Sequence, residues 1–168
     1  PAQLQKKLGD NYEVKNFGVS ARTMMNKGDL PYMNELAWRD AQAFNPDIVI
    51  VKLGTNDSKT HNWAHGAEEY RQSMQAMIDT LKALPSKPKI YLCSPIPAFK
   101  DSWTISDSII VNGEMPIIKK LAKKNKCQFI DLHTSYTYGD LMLKDGIHPN
   151  AKGAEKMANI IFEAIEKK

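Results

Sequence analysis

The stretch Asp47-Ile-Val-Ile-Val-Lys-Leu53 decides the fold, because an uninterrupted run rich in β-branched residues predicts a strand buried on both faces. This strand is expected to end at Gly54. Similar short apolar runs predict three more strands, at Tyr12–Phe17, Lys89–Cys93 and Cys127–Asp131. Strands that are buried on both faces are typical of a parallel sheet covered by helices.

Helical patterns alternate with these strands. A first helix is expected at Pro1–Leu8, with Gly9 just past its end, and four later segments carry apolar residues at helical spacing. We interpret these apolar stripes as core packing against the sheet. The alternation predicts an α/β fold in one domain over residues 1–168, because no linker-like stretch divides the chain. The four segments are Pro31–Asn45 (with Met33, Leu36, Ala37, Ala41 and Phe44 on its stripe), Ala67–Leu84, Glu114–Lys124 and Asn150–Lys167.

The composition is that of an ordinary globular chain. The 168 residues include 23 Lys and Arg against 19 Asp and Glu, for a net charge of +4, and 42% are apolar. The 2 cysteines cannot form a disulfide scaffold, and the apolar runs are far shorter than the roughly 20 residues of a membrane helix. The lysine-rich stretch 119–126 is interpreted as the solvated face of a helix. We therefore expect no nucleic-acid partner and no membrane partner.

Chemically unusual residues follow the strands, at the edge of the sheet where α/β proteins place their sites. In Asp145-Gly-Ile-His148, a carboxylate three residues before a histidine can fix the tautomer of the imidazole and stabilise its charged form. His148 is then a candidate general base, and Asp145 is its orienting partner. The alternative is a helix N-cap region with a surface histidine.

Two further segments carry candidate donors for an oxyanion. In Gly54-Thr-Asn-Asp57, the glycine permits a sharp turn, and Asn56 can direct an amide donor across the strand ends. In Asn16–Thr23, small residues allow backbone N–H groups to face a ligand. Each segment taken alone is also compatible with an ordinary turn.

Together and in this order, the three segments resemble the SGNH branch of the GDSL hydrolases. That family carries four blocks, namely Gly-Asp-Ser with the nucleophile, a glycine-containing segment, Gly-x-Asn-Asp and Asp-x-x-His. The residues around the last two blocks are most similar to those of bacterial carbohydrate and sialate O-acetylesterases. The resemblance implies a flavodoxin-like three-layer α/β/α fold with a parallel sheet. It also implies an oxyanion hole formed by Asn56 and the backbone of the second block. The family's oxyanion glycine falls at Ala21 here, with Gly18 three residues earlier, and an alanine can supply the N–H if its φ stays negative.

The family's first block is not found in this sequence. Gly-Asp pairs occur at residues 9–10, 28–29 and 139–140, but no serine follows any of them. Ser20 and Ser58 lie on the wrong blocks, and Ser94 is followed by Pro95, which prevents a helix from starting there. The first strand of the family's sheet is central, so its loss would leave facing edges unpaired. We therefore expect that the natural protein has an upstream strand with the nucleophile and that this form is N-terminally truncated and inactive.

The resemblance implies a Ser-His-Asp mechanism that removes a short acyl group, such as acetyl, from a carbohydrate ester and needs no metal or organic cofactor. His61, Trp63 and Trp103 lie in loops after the strands, where aromatic rings can stack on a sugar, although loop packing explains them as well. His61 and His65 have no evident third ligand nearby, so we expect no metal site.

Other functions stay open at this stage. The chain is also compatible with a non-catalytic binding or assembly module that keeps the fold, or with a thioesterase or lysophospholipase. His133 with Asp131 is a weaker candidate dyad, because alternating residues on a strand point to opposite faces. Relatives in the family are often exported, so a periplasmic or secreted location is expected, although no leader is visible in the sequence.

Overall fold

Three strands form a parallel sheet in the order β1–β2–β3. The computed structural model describes residues 1–166. Ile48 pairs with Lys89 at one end of the sheet, and Cys93 pairs with Ile130 at the other. The predicted α/β fold with a parallel sheet is therefore confirmed. The strands are β1 (Ile48–Val51), β2 (Lys89–Cys93) and β3 (Gln128–Ile130).

Helices cover both faces of this sheet. One face packs against α4 and α6. The apolar residues at helical spacing in the segment predicted at Ala67–Leu84 are buried on this face, namely Tyr70, Met74, Met77, Ile78 and Leu81. The other face packs against α1 and α8, whose Leu4, Ala158, Ile161 and Ile165 form a second apolar cluster with Tyr91 and Ile130. The described helices are α1 (Ala2–Leu8), α2 (Leu36–Ala43), α3 (Thr60–Trp63), α4 (Ala67–Lys82), α5 (Asp107–Ile109), α6 (Met115–Asn125), α7 (Leu132–Ser135) and α8 (Ala151–Glu166).

The chain after α1 is extended but does not form the strand predicted at Tyr12–Phe17. Gln5 holds this segment by side-chain hydrogen bonds to the backbone at Tyr12 (2.8 Å) and Val14 (2.7 Å). Among residues 1–166, no strand lies alongside it, so its backbone takes part in no ladder. The prediction was wrong because a strand requires a partner as well as an apolar pattern.

Like the Tyr12–Phe17 segment, one edge of β1 has no strand partner among the described residues. Within the described residues, β1 pairs with β2 on one side and with no strand on the other. Ile48, Val49 and Ile50 are therefore only half-buried, whereas Ile90 to Cys93 of β2 are fully buried. The expected burial of Asp47–Leu53 on both faces is wrong for this reason.

The helix predicted over Pro31–Asn45 is interrupted. A short 3₁₀ turn covers Tyr32–Asn34, and Glu35 is extended before α2 begins. Tyr32 and Trp38 enter the core with their rings 6.0 Å apart, whereas Leu36 of the predicted stripe is 67% exposed. Two tethers explain the break, because Tyr32 Oη donates to the Phe17 carbonyl and the Arg22 guanidinium pairs with Glu35.

Other predicted elements are present with shifted ends. The strand expected at Cys127–Asp131 covers only Gln128–Ile130, and the predicted helical end at Lys167 lies outside the described residues. No helix within residues 1–166 has both the length and the apolar character needed to cross a lipid bilayer.

Candidate active site

His148 and Asp145 form a hydrogen-bonded pair in the loop before α8. His148 Nδ1 lies 3.1 Å from Asp145 Oδ2, and Asp145 Oδ1 accepts from the backbone N–H groups of Ile147 (2.7 Å) and His148 (2.9 Å). The N–H groups of His148 and Ile147, together with the His148 side chain, lower the pKa of Asp145. An ionised carboxylate on Nδ1 favours the tautomer whose Nε2 lone pair is free. The His148 side chain is 57% exposed, so a substrate can reach this pair.

The turn that carries this pair is fixed on both sides. Gly146 has φ 69°, a conformation that glycine adopts without strain, and its carbonyl accepts from Phe99 N at 2.9 Å. Leu143 N donates to the His148 carbonyl at 2.7 Å. The imidazole therefore projects from a restrained turn, as a general base requires.

The Gly54–Asp57 turn presents Asn56 directly after β1. Gly54 has φ 135°, and Ser58 N closes the turn by donating to the Gly54 carbonyl at 3.1 Å. Asn56 Nδ2 donates to the Arg22 carbonyl at 3.3 Å. An amide nitrogen carries two hydrogens, so one remains for an oxyanion while the other connects this turn to the 16–23 segment.

Asp57 is a buried support that the sequence did not single out. Its two oxygens accept from Met24 N (2.9 Å) and Met25 N (2.7 Å), which anchors the segment carrying Ala21. Burial raises the pKa of Asp57 to about 7, although these two N–H groups favour its ionised form. The only signal for this role in the sequence is the place of Asp57 in the Gly-x-Asn-Asp block. Its two contacts join residues more than 30 positions apart, so no local pattern reveals them.

Asn62 is a second support that the sequence pattern does not reveal. Its buried amide donates to Asp29 Oδ1 (3.0 Å) and to the Asn56 carbonyl (2.9 Å), and it accepts from Asp29 N (2.8 Å). His61 Nε2 lies 3.1 Å from the other oxygen of Asp29. Partial burial by itself raises the pKa of Asp29. The hydrogen bonds with His61 and Asn62 and the charge of Lys59 outweigh it, so the pKa is lowered. One side chain thus links the 28–29 loop to the Gly54–Asp57 turn, which we call the oxyanion turn after its candidate donor Asn56.

Ala21 is exposed, but its backbone differs from the expectation. Its φ is 65° rather than negative, so an alanine occupies a left-handed position that glycine would adopt without strain. Gly18 N donates to Asn16 Oδ1 at 3.0 Å, which occupies the N–H of the neighbouring candidate donor. The structure therefore favours Ala21 over Gly18 as a donor in the second block.

A buried carboxyl group lies behind the oxyanion turn. A side chain at position 54 would meet the carboxyl of Glu114, the ring of Pro95 and the hydroxyl of Tyr70. Glu114 is fully buried, and within the described residues neither of its oxygens has a hydrogen-bond partner. Burial and the neighbouring Asp57 raise the pKa of Glu114 well above its usual range, which favours the uncharged acid. This close packing explains why a glycine begins the turn.

The remaining candidates have other contacts. Ser58 and Ser94 are buried, and Ser94 Oγ accepts a hydrogen bond from the backbone N–H of His133 at 2.9 Å. His133 Nε2 lies 3.0 Å from Asp107, so the ring pairs with this carboxylate, and the weaker alternative dyad with Asp131 gains no support. Within residues 1–166, no serine hydroxyl is hydrogen-bonded to the His148 ring.

The three aromatic candidates for substrate contact are in different environments. Trp63 packs against Tyr70, with ring centroids 5.8 Å apart, and His61 is held by Asp29. Trp103 is 59% exposed, and its ring lies edge-to-face with His148 at 5.8 Å. A substrate contact stays a prediction for each of the three residues. Of these, Trp103 lies beside the candidate base His148.

Comparison with known proteins gives consistent matches. The model of the GDSL-like lipase/acylhydrolase family matches residues 1–156. An acetylxylan esterase of Xylanibacter ruminicola is 54% identical over 99% of this chain, and a multidomain esterase of Ruminococcus flavefaciens is 30% identical over 73%. The matched regions span 38% and 16% of the lengths of those relatives. The crystal structure of the acetyl xylan esterase AlAXEase superposes with a TM-score of 0.74 at 25% identity, covering 95% of this chain and 84% of that one.

Proposed function

The chain belongs to the GDSL-like lipase/acylhydrolase family, and we propose that it carries most of the active site of a carbohydrate acetylesterase. The observation that carries this proposal is the His148–Asp145 pair, with an ionised carboxylate on Nδ1 and an accessible ring. The similarity to an acetylxylan esterase supports an acetylated carbohydrate as the substrate class.

The geometry supports a two-step acyl transfer. A serine hydroxyl attacks the ester carbonyl while His148 Nε2 takes its proton, and Asp145 stabilises the imidazolium that forms. The free hydrogen of Asn56 Nδ2, the N–H of Ala21 and the N–H of the nucleophile stabilise the tetrahedral oxyanion. His148 then gives the proton to the departing sugar oxygen. Water then attacks the acetyl-serine carbonyl as His148 takes its proton, and His148 returns that proton to the serine oxygen as acetate leaves.

The nucleophile in this proposal is a serine at the end of a strand that pairs with the open edge of β1. Half-buried apolar residues at Ile48, Val49 and Ile50 leave that edge suited to an additional strand. The absence of a hydrogen bond between His148 and any serine of the described residues supports the same arrangement. Residues 1–168 alone are therefore expected to lack ester hydrolysis.

The test is hydrolysis of p-nitrophenyl acetate and of acetylated xylan by the protein that includes the pairing strand. We expect His148→Ala to lower kcat by at least about 1,000-fold, because the general base is lost. The matched control is His133→Ala, which removes another aspartate-paired histidine and should retain hydrolysis. Equal rates for His148→Ala and the unsubstituted protein would reject the proposed base.

A further inference from the structure

One loop, residues 99–106, crosses between the two halves of the candidate site, and we call it the strap. On one side it is tied to the turn that carries the base. Phe99 N donates to the Gly146 carbonyl at 2.9 Å, and Ser102 Oγ donates to the Asp145 carbonyl at 2.8 Å. The strap is thus fixed to the backbone of Asp145, whose carboxylate holds the His148 ring, and to the backbone of Gly146, the next residue.

On the other side the strap is tied to the oxyanion turn. Ser106 N donates to Ser58 Oγ at 3.2 Å, and Ile105 forms an isolated bridge with Lys59. Residues 58 and 59 directly follow Asp57. Because both ends are tethered, the middle of the strap has a defined position beside the site.

The middle of the strap presents Trp103 in an unfavourable conformation. Trp103 and Thr104 have φ 52° and 60°, and two successive non-glycine residues in the left-handed region, one of them β-branched, are uncommon. The Trp103 ring nevertheless stays 59% exposed and meets His148 only at an edge, with an angle of 71° between the ring planes. Core packing does not explain a large apolar ring held in this way, and strained residues concentrate at binding sites.

We propose that Trp103 is a stacking platform for a pyranose ring of the substrate, next to His148. This inference rests on the proposed function and names the part of the substrate that the site recognises. One face of a pyranose ring presents C–H groups, which pack on an indole ring, while its hydroxyls stay in water. Placing the sugar on Trp103 brings an acetyl group on that sugar toward the neighbouring imidazole.

The platform predicts a specificity effect. A stacking contact made equally in the bound substrate and the transition state changes KM rather than kcat. Simple acetyl esters without a sugar lack this contact. The selectivity for sugar esters over p-nitrophenyl acetate therefore measures the platform.

The kinetic test compares Trp103→Ala and Trp103→Phe on an acetylated xylo-oligosaccharide and on p-nitrophenyl acetate. We expect Trp103→Ala to raise KM for the sugar ester about tenfold, or about 1.4 kcal/mol, and to lower selectivity for it by the same factor. Trp103→Phe keeps an aromatic face and should restore most of the selectivity. Leu36→Ala, a similarly exposed apolar position on α2, is the control that should change neither value. Unchanged selectivity in Trp103→Ala would overturn the proposal.

A binding test works without any ester hydrolysis. Trp38 is buried and Trp63 packs on Tyr70, so Trp103 is the most exposed of the 3 tryptophans. Titration with a non-acetylated xylo-oligosaccharide should change the tryptophan emission, and Trp103→Phe should abolish the change. In the protein that includes the pairing strand, an emission change without hydrolysis of any acetyl ester would reject the esterase and keep the platform. Hydrolysis that depends on His148 without a Trp103-dependent emission change would reject the platform alone.

Discussion

Asp57 is expected to make the stability of the protein depend on pH. Burial raises its pKa from 3.8 to about 7, so the folded protein binds the proton more tightly than the unfolded chain does. Stability is therefore highest below about pH 4 for this group and falls as the pH rises to about 7. A shift of about 3 pKa units corresponds to about 4 kcal/mol, at 1.36 kcal/mol per unit.

The substitution Asp57→Asn separates this charge effect from hydrogen bonding. The amide accepts from only one of Met24 N and Met25 N and directs its NH₂ group at the other. Losing one hydrogen bond and leaving one N–H buried without a partner costs about 2–4 kcal/mol at pH 4.5. The variant has no carboxyl to ionise at this position, so its stability lacks this fall, of which about 3 kcal/mol occurs between pH 4.5 and pH 7.5. The two proteins should therefore have nearly equal stability at pH 7.5.

Urea unfolding at pH 4.5, 5.5, 6.5 and 7.5 measures this convergence. Glu114 titrates in both proteins, so its effect largely cancels in the difference. Asp10→Asn, at an exposed turn position after α1, is the control and should stay within about 0.5 kcal/mol of the unsubstituted protein. A stability difference for Asp57→Asn that stays constant from pH 4.5 to 7.5 would refute the reasoning.

Three substitutions test the supports of the site by thermal unfolding. Ala21→Gly should stabilise the protein by about 1 kcal/mol, because the backbone strain of an alanine with a positive φ is larger than the entropic cost of a glycine. A lower Tm would contradict this. Asn62→Ala should destabilise by about 2–3 kcal/mol, because it removes three hydrogen bonds that join the 28–29 loop to the Gly54–Asp57 turn. An unchanged Tm would show that other contacts hold these loops. Gly54→Ala should destabilise by about 3 kcal/mol or more, because its methyl group meets the Glu114 carboxyl, and a tolerated alanine would refute that packing.

Parts of the fold that depend on local pattern were predictable. The bounds of β2 and the buried stripe of α4 follow directly from apolar spacing. Tyr12–Phe17 was also predicted as a strand but has no partner among the described residues, and pattern alone does not reveal a missing partner. Leu36 was expected on the buried stripe but is exposed, because contacts of Tyr32 and Glu35 with distant residues break the helix.

The site divides in the same way. Asp145 and His148 are three residues apart, so their pairing is a local property of one turn and was predicted correctly. Asn56 was singled out because it follows a strand end, and its role as an oxyanion donor stays a prediction. The roles of Asp57 and Asn62 rest on contacts with residues more than 30 positions earlier, which a single sequence does not specify.

The central claim is that His148 activates a serine on a strand beside β1. Peptide mass spectrometry after reaction with a fluorophosphonate tests it most directly, because this reagent labels activated serines. The account predicts no label on residues 1–168 alone. It predicts a label on the serine of the pairing strand when that strand is present, reduced at least about 100-fold by His148→Ala. A label on any serine within residues 1–168, or equal labelling of His148→Ala, would contradict the account.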